Sequence, residues 1–127
     1  MATITKIFNE VTTEFIGGND QALVTLGAAT SAVSVLMRAE TLSAFSALGK
    51  VQLCFVTSPD ALTGLSIAQL KAKFNGLIQT IEVYCNPDVG FNSLESDVFS
   101  ISGLYFGAWI ETTSIAKLKV SAWVAEF

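Results

Sequence analysis

Val33-Ser34-Val35-Leu36-Met37-Arg38-Ala39-Glu40 alternates with a period of two. Val33, Val35, Met37 and Ala39 point one way and Ser34, Arg38 and Glu40 the other, which predicts a strand with one face towards water. Lys50 to Thr57 is almost continuously apolar, the pattern of a strand covered on both faces. After Ser58-Pro59-Asp60 the period changes to that of a helix. Ser66 stands as N-cap, and Ile67, Leu70, Phe74, Leu77, Ile78 and Ile81 form one stripe opposite Gln69, Lys71, Lys73, Asn75 and Gln79. The principal helix is therefore expected over 66–79, with Phe74 buried mid-stripe. Ile81 to Asn86 resumes the strand pattern, so residues 50–86 read as strand, helix, strand, with the helix packed over the sheet.

The two ends of the chain are less direct. Ile4, Ile7, Phe8, Val11 and Phe15 have helical spacing, whereas the β-branched run through Thr3, Ile4, Thr5, Ile7, Val11, Thr12, Thr13 and Ile16 favours strand. With Gly17-Gly18-Asn19-Asp20 read as a turn into Ala22 to Leu26, the expectation is a hairpin carrying Val11, Thr13 and Phe15 on one face. Thr41 caps a short turn-rich or helical piece, Leu42 to Leu48, closed by Gly49. Two further strands, about Val98 to Thr112 with a kink near Gly103 and Ile115 to Phe127, form a C-terminal β-hairpin turning at Thr113.

That hairpin register sets Trp109 opposite Lys117, Gly107 opposite Lys119, Tyr105 opposite Ser121 and Gly103 opposite Trp123. One face, Leu104, Phe106, Ala108, Ile110, Ala116, Leu118, Val120, Ala122 and Val124, is wholly apolar and is expected to meet the core. The other collects Tyr105, Trp109, Lys117, Lys119 and Trp123. Aromatics beside cations with few acids resemble the centre of a protein interface, so these five are the candidate contact residues. The fold class expected from these elements is α+β, mainly antiparallel sheet with one principal helix, in a single domain spanning residues 1–127.

Composition narrows the function classes. The chain of 127 residues is 51% hydrophobic and only 14% charged, against about 25% in ordinary globular domains. Its net charge of -4 is opposite in sign to a nucleic-acid or acidic-membrane footprint, so neither partner is expected. There is no histidine, which removes the usual base near neutral pH and the commonest metal ligand. The N-terminal residues lack the pattern of a secretory signal, and the longest uncharged stretch, Gln21 to Met37, is too short and too polar to span a membrane. Cys54 and Cys85 each sit in an apolar run, where buried free thiols and a reducing compartment, the cytoplasm, are expected.

Motifs for chemistry are weak. Ser114-Ile115-Ala116-Lys117 has the spacing of a lysine-activated serine, but residues three apart on a strand face opposite ways and the companion motifs are missing. The segment from Asn86 to Asp97 gathers Asn86, Asp88, Asn92, Glu95 and Asp97, hard oxygen ligands suited to calcium, yet its glycine and its last acid are misplaced for an EF-hand loop. A solvated loop is expected, with no metal and no cofactor. The function expected is a non-enzymatic structural protein that forms homo-oligomers alongside other proteins of the same assembly, for example a decoration, cement or tail component of a virion. The alternative is a small binding module using Tyr105, Trp109 and Trp123 as a platform for a carbohydrate or peptide.

Overall fold

The computed structural model describes residues 3–13, 17–41, 49–85, 92–112 and 118–127. Among them run β1 (Thr3–Thr13), β2 (Gly17–Thr25), β3 (Ala32–Thr41), β4 (Gly49–Ser58), α1 (Ile67–Lys73), β5 (Gln79–Cys85), β6 (Asn92–Ser100), β7 (Tyr105–Thr112) and β8 (Leu118–Glu126). The strands make two four-stranded antiparallel sheets, sheet A in the order β1-β8-β3-β6 and sheet B in the order β2-β7-β4-β5. In this order β1 pairs with β8, β2 with β7, β3 with β6 and β4 with β5. The first half of the chain thus lies antiparallel along the second, and rolling that long ribbon adds the pairs β8 to β3 and β7 to β4. This is the jelly-roll form of a β-sandwich.

The expected class, mainly antiparallel sheet with one principal helix, is what forms, with the helix shorter than expected. The alternations also select the right inner faces. Val33, Val35, Met37 and Ala39 of β3 and Leu118, Val120, Ala122 and Val124 of β8 are buried against Val51, Leu53 and Phe55 of β4 and Phe106, Ala108 and Ile110 of β7. Phe55 stacks on Phe106 with centroids 5.3 Å apart and meets Phe99 edge-on at 4.7 Å, joining the two sheets.

Strand partners differ from expectation. β7 and β8 do not hydrogen-bond to one another: β7 lies between β2 and β4, and β8 between β1 and β3. The C-terminal hairpin register is therefore replaced by one in which Trp109 faces Gln21 and Cys54, and Trp123 faces Lys6 and Leu36. The reason is geometric. Alternation tells which side of a strand is buried, and two successive strands on opposite sheets bury the same apolar side as two that pair. The last strand is also no open edge, since both its flanks are paired. The stretch Val98 to Thr112 divides at residues 101–104, where the chain crosses from sheet A to sheet B.

Residues 3–13 are strand, as the β-branched run favours, but β1 and β2 sit on different sheets and form no hairpin. Gly17 to Asp20 begin β2 instead of making a turn. Each of these strands carries a bulge whose extra residue takes positive φ, Glu10 (52°) between Phe8 and Val11, and Asp20 (32°) between Asn19 and Gln21. The Glu10 amide, freed from the ladder, donates to Ser121 Oγ at 3.0 Å. The piece expected at 42–48 lies outside the described residues, and Gly49 opens β4.

The helix begins where expected. Ser66 Oγ accepts from the Gln69 amide at 3.2 Å while the Ser66 amide donates to Gln69 Oε1 at 2.8 Å, a reciprocal cap. It ends at Lys73, short of the 66–79 expected, because Gly76 takes φ of 84° and the Leu77 amide closes a turn on the Phe74 carbonyl at 2.8 Å. Phe74 stays buried at the helix end; Leu77 leaves the stripe and stands 68% exposed.

Two glycines give a ranked prediction. A Cβ at Gly103 would fall 2.1 Å from Pro59 N and Ser58 C, backbone that cannot step aside, whereas at Gly107 it would meet the Leu62 and Leu23 methyl groups at 2.9 and 3.2 Å. Gly103→Ala should cost ~3 kcal/mol or more and Gly107→Ala about 1 kcal/mol. Urea melts of both variants check the order, and an equal or inverted ranking would contradict the close crossing at Ser58-Pro59.

Candidate functional site

The two outer faces of the sandwich are unlike. Over sheet B the segment between β4 and β5 folds back, and Leu62, Leu70 and Phe74 cover Cys54, Val56 and Trp109, with Leu65, Ile67, Ile78 and Tyr105 packed at the margin. Gln21 Nε2 donates to the Leu65 carbonyl at 2.7 Å, tying this cap to β2. Trp109, expected at a contact surface, has no exposure at all. It lies in this second core because α1 brings an apolar stripe to the otherwise polar side of β7.

Beside Trp109 the cap is clasped by a polar cluster. Lys71 Nζ reaches Glu111 Oε1 at 2.7 Å, and Cys54 Sγ donates to Glu111 Oε2 at 3.2 Å. Burial works to raise the Glu111 carboxyl, but the hydrogen bonds from Lys71 and Cys54 and the nearby Trp109 indole N–H outweigh it, and the pKa falls below the ordinary value. That indole N–H faces the carboxylate without making a well-formed hydrogen bond to any group. Burial, then the hydrogen bond and charge of Glu111, push the Cys54 thiol far upward, so it is held protonated and unreactive. Cys54 is a free buried thiol, as expected; the Cys85 side chain lies outside the description.

Among the described residues sheet A has no such cap. On its outer face Ile4, Ala125, Ser34 and Val98 stand in one row across β1, β8, β3 and β6, and Lys6, Trp123 and Leu36 form the next. Ile4 is 67% exposed, Val98 63% and Phe127 58%, so no described element covers this end. Lys6 Nζ sits 5.3 Å from the Trp123 ring centroid, a cation–π contact. The far end of the face is charged: Lys119 lies 3.7 Å from Glu10 and 3.9 Å from Glu40, and Arg38 lies 3.8 Å from Glu40.

Of the five candidate contact residues, Lys119 and Trp123 share the outer face of sheet A, while Tyr105 and Trp109 belong to the capped side of sheet B. Lys117, with the Ser114 motif, lies outside the described residues, as do Asn86, Asp88 and the side chains of Asn92 and Glu95 in the acidic segment. The chain pattern missed Ile4, Val98 and Leu36 as surface residues. Leu36 was the legible signal, an apolar residue on the polar side of the β3 alternation. A third feature is an uncharged groove of about 600 Å³ lined by Phe55, Thr57, Phe74, Leu77, Gln79 and Ile101.

No protein-family model matches the chain, and no curated protein matches it in sequence. No helix among the described residues is long and apolar enough to cross a membrane.

Two outcomes are expected at the capped side. Trp109→Ala should destabilise the fold by about 3–5 kcal/mol in a denaturant melt, as for a buried core aromatic; a loss under ~1 kcal/mol would mean the cap does not pack on it. Because the Glu111 pKa is lowered on folding, its stabilisation is present above the ordinary value near 4.5 and is lost as pH falls through the folded value. Glu111→Gln should therefore cost under ~1 kcal/mol at neutral pH, Lys71 being about half exposed. The gap between parent and variant should close below the ordinary carboxylate range, and a gap that widens in acid would oppose the assignment.

Proposed function

We propose that the chain is a non-enzymatic structural subunit that assembles with copies of itself. The observation that carries this is the apolar end of the sheet A outer face, which no described element covers, in a protein with only 14% charged residues. Monomers rarely leave contiguous apolar patches beyond a few hundred Å² in water. The opposite outer face shows what the same chain does with apolar side chains it keeps for itself: it covers them with α1. A virion component, such as a decoration, cement or tail protein working beside other proteins of that assembly, is the finer form of this proposal. Jelly-roll domains build capsid shells and also lectins, so the fold by itself favours neither assembly nor carbohydrate binding. The binding-module alternative needs Tyr105, Trp109 and Trp123 on one platform, and here Trp109 is buried and Trp123 lies on the other sheet.

Non-catalytic use is supported by the chemistry at hand. The chain has no histidine, and Cys54 is a protonated thiol under the cap. Light scattering on the eluting peak of a sizing column tests the proposal. A mass that is a multiple of 13.5 kDa is expected. A peak that stays monomeric at high concentration would overturn it.

A further inference from the structure

We propose that two copies stack the outer faces of their A sheets on each other about a two-fold axis, with Ile4, Leu36, Val98, Trp123, Ala125 and Phe127 forming the dry centre of the contact. This rests on the self-assembly proposal and names its surface and its partner.

Three observations support a second copy as the occupant. The first is size. Four strands about 4.8 Å apart and nine residues long at ~3.3 Å per residue make a face of about 570 Å² before side-chain relief, so two such faces bury somewhat over ~1,000 Å², the lower bound for a specific interface. The second is charge. The described charged residues of this face are Lys6, Arg38 and Lys119 against Glu10 and Glu40, a net of +1 on a chain of net -4. Two copies repel through their acidic remainder, and this face does not carry that excess. The third is arrangement. The apolar residues, with Lys6 lying over Trp123, occupy one end and the paired charges the other, which supplies a largely apolar contact with a charged margin within one surface. A patch that contacts itself is related by a two-fold axis, which closes the pair and leaves larger assemblies to a second surface.

Stacking leaves every sheet A hydrogen bond intact, and aligned sheets pack with side chains interdigitated. Ser34 lies between Ala125 and Val98 in the apolar row, near the axis of such a pair. It should approach its own equivalent in the other copy.

The test uses the full chain. In sizing with light scattering, the Ile4→Lys, Val98→Lys double variant should dissociate at concentrations at least 100-fold above those at which the parent does. Both residues are more than half exposed, so the fold should survive, and near-ultraviolet circular dichroism from buried Trp109 checks that. In parallel, Ser34→Cys treated with a short bismaleimide should give a covalent dimer, while the parent and Thr63→Cys, placed on the cap, should not. An assembled parent whose double-lysine variant assembles equally well would overturn this face while sparing self-assembly. Coupling of Ser34→Cys no better than Thr63→Cys in an assembled sample would overturn the two-fold contact. A monomeric parent would remove both proposals.

Discussion

Pairing of the first strand with the last, from Thr3 against Glu126 to Thr13 against Leu118, is the constraint on which the rest of this sandwich depends. It places β8 at the centre of sheet A, where its other flank pairs with β3, and it brings the loop after β2 to the end of β8. There Glu126 Oε1 accepts from the Gly27 amide at 2.6 Å and from Thr30 Oγ1 at 2.9 Å, and the Phe127 and Ala32 backbones bond each other. Nearly all other ladders likewise join distant parts of the chain; only β4 and β5 pair as neighbours in sequence among the described strands. Loop-closure entropy must be met before such contacts form, so the topology predisposes the chain to slow folding.

The one sequence-local pair is where the helix sits. Because β4 and β5 are adjacent in sheet B, the connection between them lies over that sheet's outer face, and its apolar stripe finds Val56, Cys54 and Trp109 beneath it. Burial holds the cap more firmly than charge does. The Lys71 to Glu111 pair is half exposed at its cation and is worth no more than ~1 kcal/mol, whereas a buried aromatic such as Trp109 contributes several times that. The same comparison explains the state of Cys54: beneath this cap and beside a carboxylate, burial and Glu111 outweigh the nearby Lys71 cation, and the thiol serves as a small packing residue.

Sheet A is left with what sheet B has covered. Among the described strands no neighbouring pair in sheet A is consecutive in sequence, no described segment lies over its outer face, and Ile4, Val98 and Phe127 stand exposed. The asymmetry between the two outer faces follows from this topology, and among the described residues the uncovered apolar side chains gather on sheet A.

Much of the local structure was legible in the chain itself. The alternation in 33–40, the apolar run of 50–57 and the Ser66 cap each identified an element and its buried side, because strand and helix periods and capping are local physics. Phe106, Ala108, Ile110, Leu118, Val120, Ala122 and Val124 were likewise recognisable as core. What the chain could not express was which strand lies beside which. An inward-facing residue has the same period whether its neighbour in sequence pairs with it or faces it across the sandwich, so the hairpins expected at both ends resolved into crossings between sheets. That difference moved Trp109 from a surface to a core and separated it from Trp123. The outward rows of sheet A, which join residues from 4 to 125, exist only after the two ends of the chain have met, and tertiary structure alone could place them.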